Sequence, residues 1–317
     1  MDALTALRYI TTDEIRRTLA MTEAIRAVRD AFVELSTGRA LVPARTSLEI
    51  PGRRTTALVM PAYLPRTERI GVKLISLCED NPAKGRPLAQ AVTVVMDAET
   101  GTPLAVLEAG YLTAVRTGAA SGVATDALAR PDARVAAVFG AGVQGRTQLE
   151  AVAAVRSLRK AIVFDTDARS AAAFAAEMGD KLGLDVEPAS SPEALREADI
   201  VCTATTAAAP VFADADLKPG AHINAVGSYK PHVREIPGET VERAVLFVDE
   251  RRSCLEEAGD LIIPIRQGLI DEDHIRAEIG EVLAGLKPGR TSEDEITLFK
   301  SVGNAILDLA VAGLVVG

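Results

Sequence analysis

Tryptophan is absent, aromatic residues make up 3% of the chain, and its 317 residues include only three cysteines and three histidines. With so few rings, the interior falls to alanine, valine and other aliphatic side chains. Hydrophobic residues nevertheless reach 48%, and a chain this long divides naturally into two domains. Cys78, Cys202 and Cys254 are too scattered for a disulfide framework or a Cys-x-x-Cys site and fit a reduced compartment. His222, His232 and His274 show neither a zinc motif nor helical pairing, so no protein-bound metal is expected. No apolar run reaches the roughly 18 residues needed to cross a bilayer, and the N-terminus lacks the apolar segment of a signal peptide. A cytoplasmic protein with no membrane partner is expected. Positive charge is also scarce: 44 acids against 35 bases give a net charge of −9, which leaves no electrostatic footprint for nucleic acid.

What the chain does have is Ala133-Arg-Val-Ala-Ala-Val-Phe-Gly-Ala-Gly-Val-Gln-Gly145. Val135 to Phe139 carry no polar alternation, as in a strand covered on both faces in a parallel sheet. Gly140, Gly142 and Gly145 fit a tight turn, a close backbone approach to a pyrophosphate, and close helix–strand packing. The helix that follows would present free amides, those of Val143 and Gln144 among them, to the phosphates. A second apolar run, Ala161 to Phe164, ends in Asp165, about 20 residues downstream, where the ribose-binding acid of a dinucleotide site is expected.

Upstream, Thr11-Thr-Asp-Glu14 has the form of a capping box, and a second helix carries Ile25, Val28, Phe32 and Leu35 on one face and ends at Gly38. Short strand-like pieces follow, with Arg45 and Lys73 among them, and the first half reads as an antiparallel or mixed sheet with helices. A helix from Tyr111 is almost wholly apolar or small apart from Arg116. A buried guanidinium needs a carboxylate of the protein or an anionic ligand. The same argument touches Lys73, and the pattern alone leaves both options open. From Pro131 the alternation of strand and helix predicts a doubly wound α/β sheet of about six strands. Thr203 to Thr206 and Val226 to Lys230 would lie beyond its carboxyl ends, where ligands bind. Ser292-Glu-Asp-Glu295 reads as a capping box opening a helix through Leu298, Phe299, Val302, Ile306 and Leu309, beyond the sheet.

Pro43-Ala-Arg45, Gly71-Val-Lys73, Leu112-Thr-Ala-Val-Arg116-Thr-Gly-Ala-Ala-Ser121, Gly140-Ala-Gly-Val-Gln-Gly145, Thr203-Ala-Thr205, Pro288-Gly-Arg-Thr291 and Phe299-Lys-Ser-Val-Gly303 together resemble the ornithine cyclodeaminase/mu-crystallin family. They stand in family order and cover nearly the whole chain. The resemblance implies a Rossmann-type domain over residues 121–295 and a discontinuous α+β substrate-binding and dimerisation domain over 1–120 and 296–317. It also implies a nicotinamide cofactor, a homodimer, and an active site in the cleft between the domains. By similarity, Arg45, Lys73 and Arg116 would hold the carboxylate of a small imino or amino acid. Gly140, Gly142, Val143, Gln144, Gly145, Asp165, Thr203, Ala204, Thr205, Val226, Gly227, Ser301 and Gly303 would serve the cofactor. Removing Lys73 or Arg116 is expected to cost turnover and leave the fold nearly unchanged.

Family members that cyclise ornithine carry an acid shortly after the Val-Gly that matches Val226-Gly227. Here Tyr229 stands in that place, followed by Lys230. Without the acid, ring-closing deamination loses its base, whereas the reductase and dehydrogenase branch, which moves a hydride between NAD(P)H and an α-imino acid, fits; the resemblance leaves as an alternative a mu-crystallin-like protein that binds NAD(P)H and a small ligand. Asp165 favours NADH over NADPH because a carboxylate there repels a 2′-phosphate. Lys230 is a cation placed to meet a second substrate carboxylate, with Tyr229 beside it, and Lys73 is a candidate proton donor.

Overall fold

A computed structural model describes residues 7–317. The chain forms two compact units, residues 7–116 with 304–317 and residues 117–303. In order the elements are β1 (Arg8–Ile10), α1 (Thr12–Thr18), α2 (Met21–Ser36), β2 (Thr46–Glu49), β3 (Thr55–Leu64), β4 (Arg69–Cys78), β5 (Ala89–Asp97), β6 (Pro103–Glu108), α3 (Ala109–Leu128), β7 (Val135–Phe139), α4 (Val143–Val155), β8 (Lys160–Phe164), α5 (Ala168–Leu182), β9 (Asp185–Pro188), β10 (Ile200–Thr203), β11 (His222–Ala225), α6 (Gly238–Arg243), β12 (Val245–Val248), α7 (Arg251–Glu257), α8 (Gly259–Arg266), β13 (Ile275–Glu278), α9 (Ile279–Leu283), β14 (Thr297–Lys300) and α10 (Ala305–Val316).

In the first unit six strands pair in the order β1-β6-β5-β4-β3-β2. All neighbours are antiparallel except β1 with β6, so the sheet is mixed. The amphipathic α2 and the almost wholly apolar α10 pack together, and α10 also lies on β3, β4 and β5. Alternation of side chains along β4 puts Gly71 and Lys73 on the face that α10 covers and Leu74 on the other. Gly71 lets the helix come close, since a Cβ there would stand 2.7 Å from Cδ1 of Leu309.

The second unit is an eight-stranded sheet in the order β13-β12-β14-β11-β10-β7-β8-β9, parallel throughout. Its inner strands are continuous apolar runs buried on both faces, Val135 to Phe139 and Ile200 to Thr203 among them, as helices on each side require. Buried Cys202 belongs to this core. The chain leaves β7 in one direction for β8 and β9 and in the other for β10 and β11. That reversal opens a crevice at the carboxyl ends of β7 and β10.

The fold class matches expectation, but one element does not. Residues 297–300 form a central strand, β14, between β11 and β12, not the early turns of a helix beyond the sheet. All four of its residues are buried, and the final helix starts only at Ala305, capped by the Asn304 side chain on the Ile306 amide. With β13 and β14 included, the sheet has eight strands where about six are read from the sequence. Among the described residues, no helix is long and apolar enough to cross a membrane.

Candidate active site

The first unit assembles the cations. Lys73 on β4 is 2% exposed and its Nζ lies 2.7 Å from an oxygen of Asp308 on α10. Arg116 on α3 donates through Nε to the other oxygen of the same carboxylate at 3.2 Å. Thr113, one turn earlier on α3, hydrogen-bonds that oxygen as well, at 3.5 Å. The two cations whose pattern left an ion pair and a ligand contact open are therefore paired within the protein. The contact uses Nε of Arg116, and the terminal nitrogens, the fork that holds a carboxylate in bidentate fashion, take no part in it.

Burial drives the Lys73 ammonium down to about 8, with Arg116 and Arg45 acting in the same direction and Asp308 opposing them. Arg45, in the segment before β2, is thus near enough to be felt by Lys73. Burial alone would raise the Asp308 carboxyl, yet Arg116 and Lys73 outweigh it and hold the group below the ordinary carboxylate range. Asp308 escapes sequence reasoning by motif. The available signal is a single acid inside Ala305-Ile-Leu-Asp-Leu-Ala-Val-Ala312, where every neighbour is apolar and buried.

The second unit builds the glycine loop. Gly140 follows β7 with φ at 100°, and a Cβ there would lie 2.6 Å from the Ala204 carbonyl oxygen. A Cβ on Gly145 would run into the Gly140 carbonyl, whereas at Gly142 nothing stands within 4 Å. These surroundings separate the three glycines into a turn, an open approach and a tight packing contact. Gly142 is the N-cap of α4 and offers no side-chain acceptor to the helix amides, a helix start of the kind that can receive an anion. Asp165, just past β8, accepts the Ala141 amide at 2.7 Å and the Asp167 amide at 2.9 Å. It is thereby fixed beside the loop. Arg146 braces the same loop from α4 by donating to the carbonyls of Ala141 and Gly142, and it pairs with Glu177 at 2.8 Å. A cavity of about 840 Å³ is lined by Gly140, Gly142, Asp165, Ala204 and Thr205. An uncapped helix start, an open glycine and a fixed carboxylate around a cavity of this size fit a dinucleotide.

Further along the carboxyl edge, the polar side chains read as cofactor contacts are tied to buried acids. Glu235 accepts from the hydroxyls of Thr203 and Thr205 and from the amides of Thr205, Gly227 and Ser228, at 2.7–3.1 Å. Asp249 accepts the Ser301 hydroxyl at 2.6 Å and the Gly303 amide at 2.9 Å. Thr203, Thr205, Ser301 and Gly303 thus direct these donors inward, and the carboxylates shape the loops. Lys300, fully buried, bonds Asp260 at 2.7 Å and the Ser228 carbonyl at 2.6 Å, while the amides of Glu235 and Ile236 donate to Asp260. This brace holds the turn carrying Tyr229 and Lys230. Tyr229 is exposed and Lys230 lies over its ring at 6.0 Å. Around this turn Glu235 accepts from five donors and Asp260 from Lys300 and two amides.

A model of the ornithine cyclodeaminase/mu-crystallin family matches residues 8–317. A Delta(1)-pyrroline-2-carboxylate reductase of Bacillus cereus is 40% identical over 305 residues, which is 96% of this chain and 94% of that protein. The solved structure of Thermococcus litoralis Delta(1)-pyrroline-2-carboxylate reductase, in complex with NADH and L-proline, matches with a TM-score of 0.94 at 45% identity, over 98% of this chain and 96% of that one. An archaeal alanine dehydrogenase dimer with bound NAD matches with a TM-score of 0.92 at 34% identity, over 98% and 95% of the two chains.

Proposed function

We propose, from the premise that the chain belongs to the ornithine cyclodeaminase/mu-crystallin family, that it is an NADH-dependent reductase of small α-imino acids, with Δ1-pyrroline-2-carboxylate as substrate and L-proline as product. Its relatives of known structure bind NADH or NAD, and the nicotinamide supplies the hydride. The observation that carries the reading is the pairing of Lys73 and Arg116 through one buried carboxylate, because it gathers cations where an anionic substrate can be held rigidly. Arg45 and Arg116 clamp the substrate carboxylate, which fixes C2 for hydride attack, and such positioning is a large share of what hydride-transfer enzymes contribute. Lys73, with its ammonium at about 8, lies close enough to neutrality to give a proton to the imine nitrogen as the hydride arrives at C2.

Cyclodeamination is not favoured. Tyr229 occupies the place of the acid, and Glu235 is consumed by five donors. Lys230 remains the cation proposed to receive a second substrate carboxylate, a contact that pyrroline-2-carboxylate does not use.

The preference for NADH rests on Asp165. Its two oxygens are held by backbone amides, and a 2′-phosphate brought to the ribose would meet that charge. Turnover measured with pyrroline-2-carboxylate, pyruvate imine and iminosuccinate, each with NADH and with NADPH, tests both parts. The cyclic imine with NADH is expected to give the highest kcat/KM. A higher kcat/KM with NADPH would detach Asp165 from cofactor choice, and turnover confined to iminosuccinate would bring Lys230 forward.

A further inference from the structure

We propose that Asp308 is the positioning residue of the proton-delivering group: its carboxylate, shared between Lys73 and Arg116, keeps the Lys73 ammonium charged and turns Arg116 so that its terminal fork is left for the substrate. This deepens the reading above and rests on it in one respect, that Lys73 meets the imino acid.

Asp308 is 1% exposed, on a helix whose other buried residues are apolar, and a carboxylate in such a place is stable only against fixed positive charge. Its two oxygens divide the cations, one taking Lys73 and the other taking Nε of Arg116. The helix is brought within reach by Gly71, two residues before Lys73, because a Cβ at that glycine would collide with Leu309, the neighbour of Asp308. The glycine, the lysine and the acid are thus parts of one arrangement.

Without Asp308, the Lys73 ammonium would face only burial and two guanidinium groups. Arg116 comes from α3 and Arg45 from the segment before β2, and both push against the charged form. From β5, the residue paired with Lys73 is Thr93, which is buried and neutral. From β3 it is Met60. On α2, which packs against α10, the buried acid is Glu34, and its carboxylate accepts the Arg66 amide. Among these groups, Asp308 is the negative charge that bonds Lys73. A neutral Lys73 has no proton to give to the imine nitrogen, so the carboxylate decides the pH range over which reduction can run.

The test is Asp308→Asn, which keeps the shape and removes the charge, compared with Asp308→Glu, which keeps the charge. In wild type, kcat/KM for the imino acid should fall as pH rises through the Lys73 midpoint. In Asp308→Asn that limb should move down by about one to three pH units, the effect of an opposite charge at contact distance. Asp308→Glu should restore the midpoint while lowering kcat/KM. NADH affinity, measured by fluorescence titration, should be unchanged in both. An NMR titration of 13Cε-labelled lysine in the protein without substrate reads the Lys73 midpoint directly, and Lys73→Ala identifies the signal. If wild type reduces no imine, the functional reading fails, and the NMR shift still decides the role of Asp308. If wild type turns over and Asp308→Asn leaves both the kinetic limb and the NMR midpoint in place, the inference is overturned. Should Asp308→Asn not fold, the chain with Asp308 intact and γ-thialysine at position 73, made by alkylating Lys73→Cys, carries the test. That more acidic ammonium must pull the limb down, and an unmoved limb removes Lys73, and Asp308 with it, from proton delivery.

Discussion

Lys73 and Arg116 change meaning once their partner is known. Read as free cations awaiting a ligand, they should be removable at little cost to folding. Paired with a buried Asp308, they should not, since deleting either cation takes a charged hydrogen-bond partner from one oxygen of the shared carboxylate while the other cation stays, at about 1.5–3 kcal/mol. Arg116→Ala is therefore expected to lower Tm substantially as well as abolish turnover. Arg116→Lys separates the two effects, because a lysine retains the charge toward Asp308 but not the planar fork. Its Tm should stay near that of wild type while kcat/KM falls by about 10²-fold, the scale on which a misplaced substrate costs rate. Equal kcat/KM in Arg116→Lys would place the carboxylate clamp elsewhere. Burial also sets the sign of a stability change with pH. Lys73 is held down to about 8 from an unfolded value of 10.5, so between those values the unfolded chain binds more protons, and this group's contribution to stability rises with pH across that window. Asp308 is lowered by its cations, and the stability it contributes is present at neutral pH and is lost on acidification through its folded value.

The glycine loop was legible in the sequence because its information is local: strand, turn and helix follow one another within the stretch from Val135 to Val155. β14 was not. Ser292 to Glu295 has the form of a helix start, and Leu298, Phe299 and Val302 have helical spacing, yet the slot between β11 and β12 requires a strand, and tertiary pairing overrides so short a local preference. The acid that completes the cation cluster lies 235 residues from Lys73 and 192 from Arg116, a separation no spacing rule can bridge. At the loop itself, each glycine has its own consequence. Gly142→Ala meets open space at a φ of −83°, so it should fold with unchanged Tm and yet bind NADH weakly, because the new methyl stands where the pyrophosphate must approach. Gly145→Ala drives a Cβ into the Gly140 carbonyl and should lose both stability and NADH affinity. Thermal melts and NADH titrations on the two variants check this, and tight NADH binding by Gly142→Ala would move the pyrophosphate away from the loop.

For the whole molecule, the open face of the six-stranded sheet matters most. One face of that sheet is covered by α10, the face that holds Lys73. On the other, Val59 of β3 faces Leu74 of β4, and Leu48 of β2, paired with Ala57, lies diagonal to Val59 on the same face, with exposures of 38%, 49% and 59% in that order. A run of exposed aliphatic side chains on one sheet face marks an association surface in a protein whose net charge otherwise favours solubility. The archaeal alanine dehydrogenase to which this chain is similar is a dimer, and the proposed assembly here is a homodimer formed through this face. Leu74 is the residue to change, since its side chain points away from Lys73 and Asp308 and a substitution there leaves the cation cluster's own packing intact. Leu74→Asp places two like charges across a two-fold contact and removes apolar area from both copies at once. Sedimentation should show a dimer for wild type and a monomer for Leu74→Asp, with NADH affinity retained because the glycine loop belongs to the other unit. A dimer that survives the substitution would assign the oligomer contact to a different surface and leave this face without a partner.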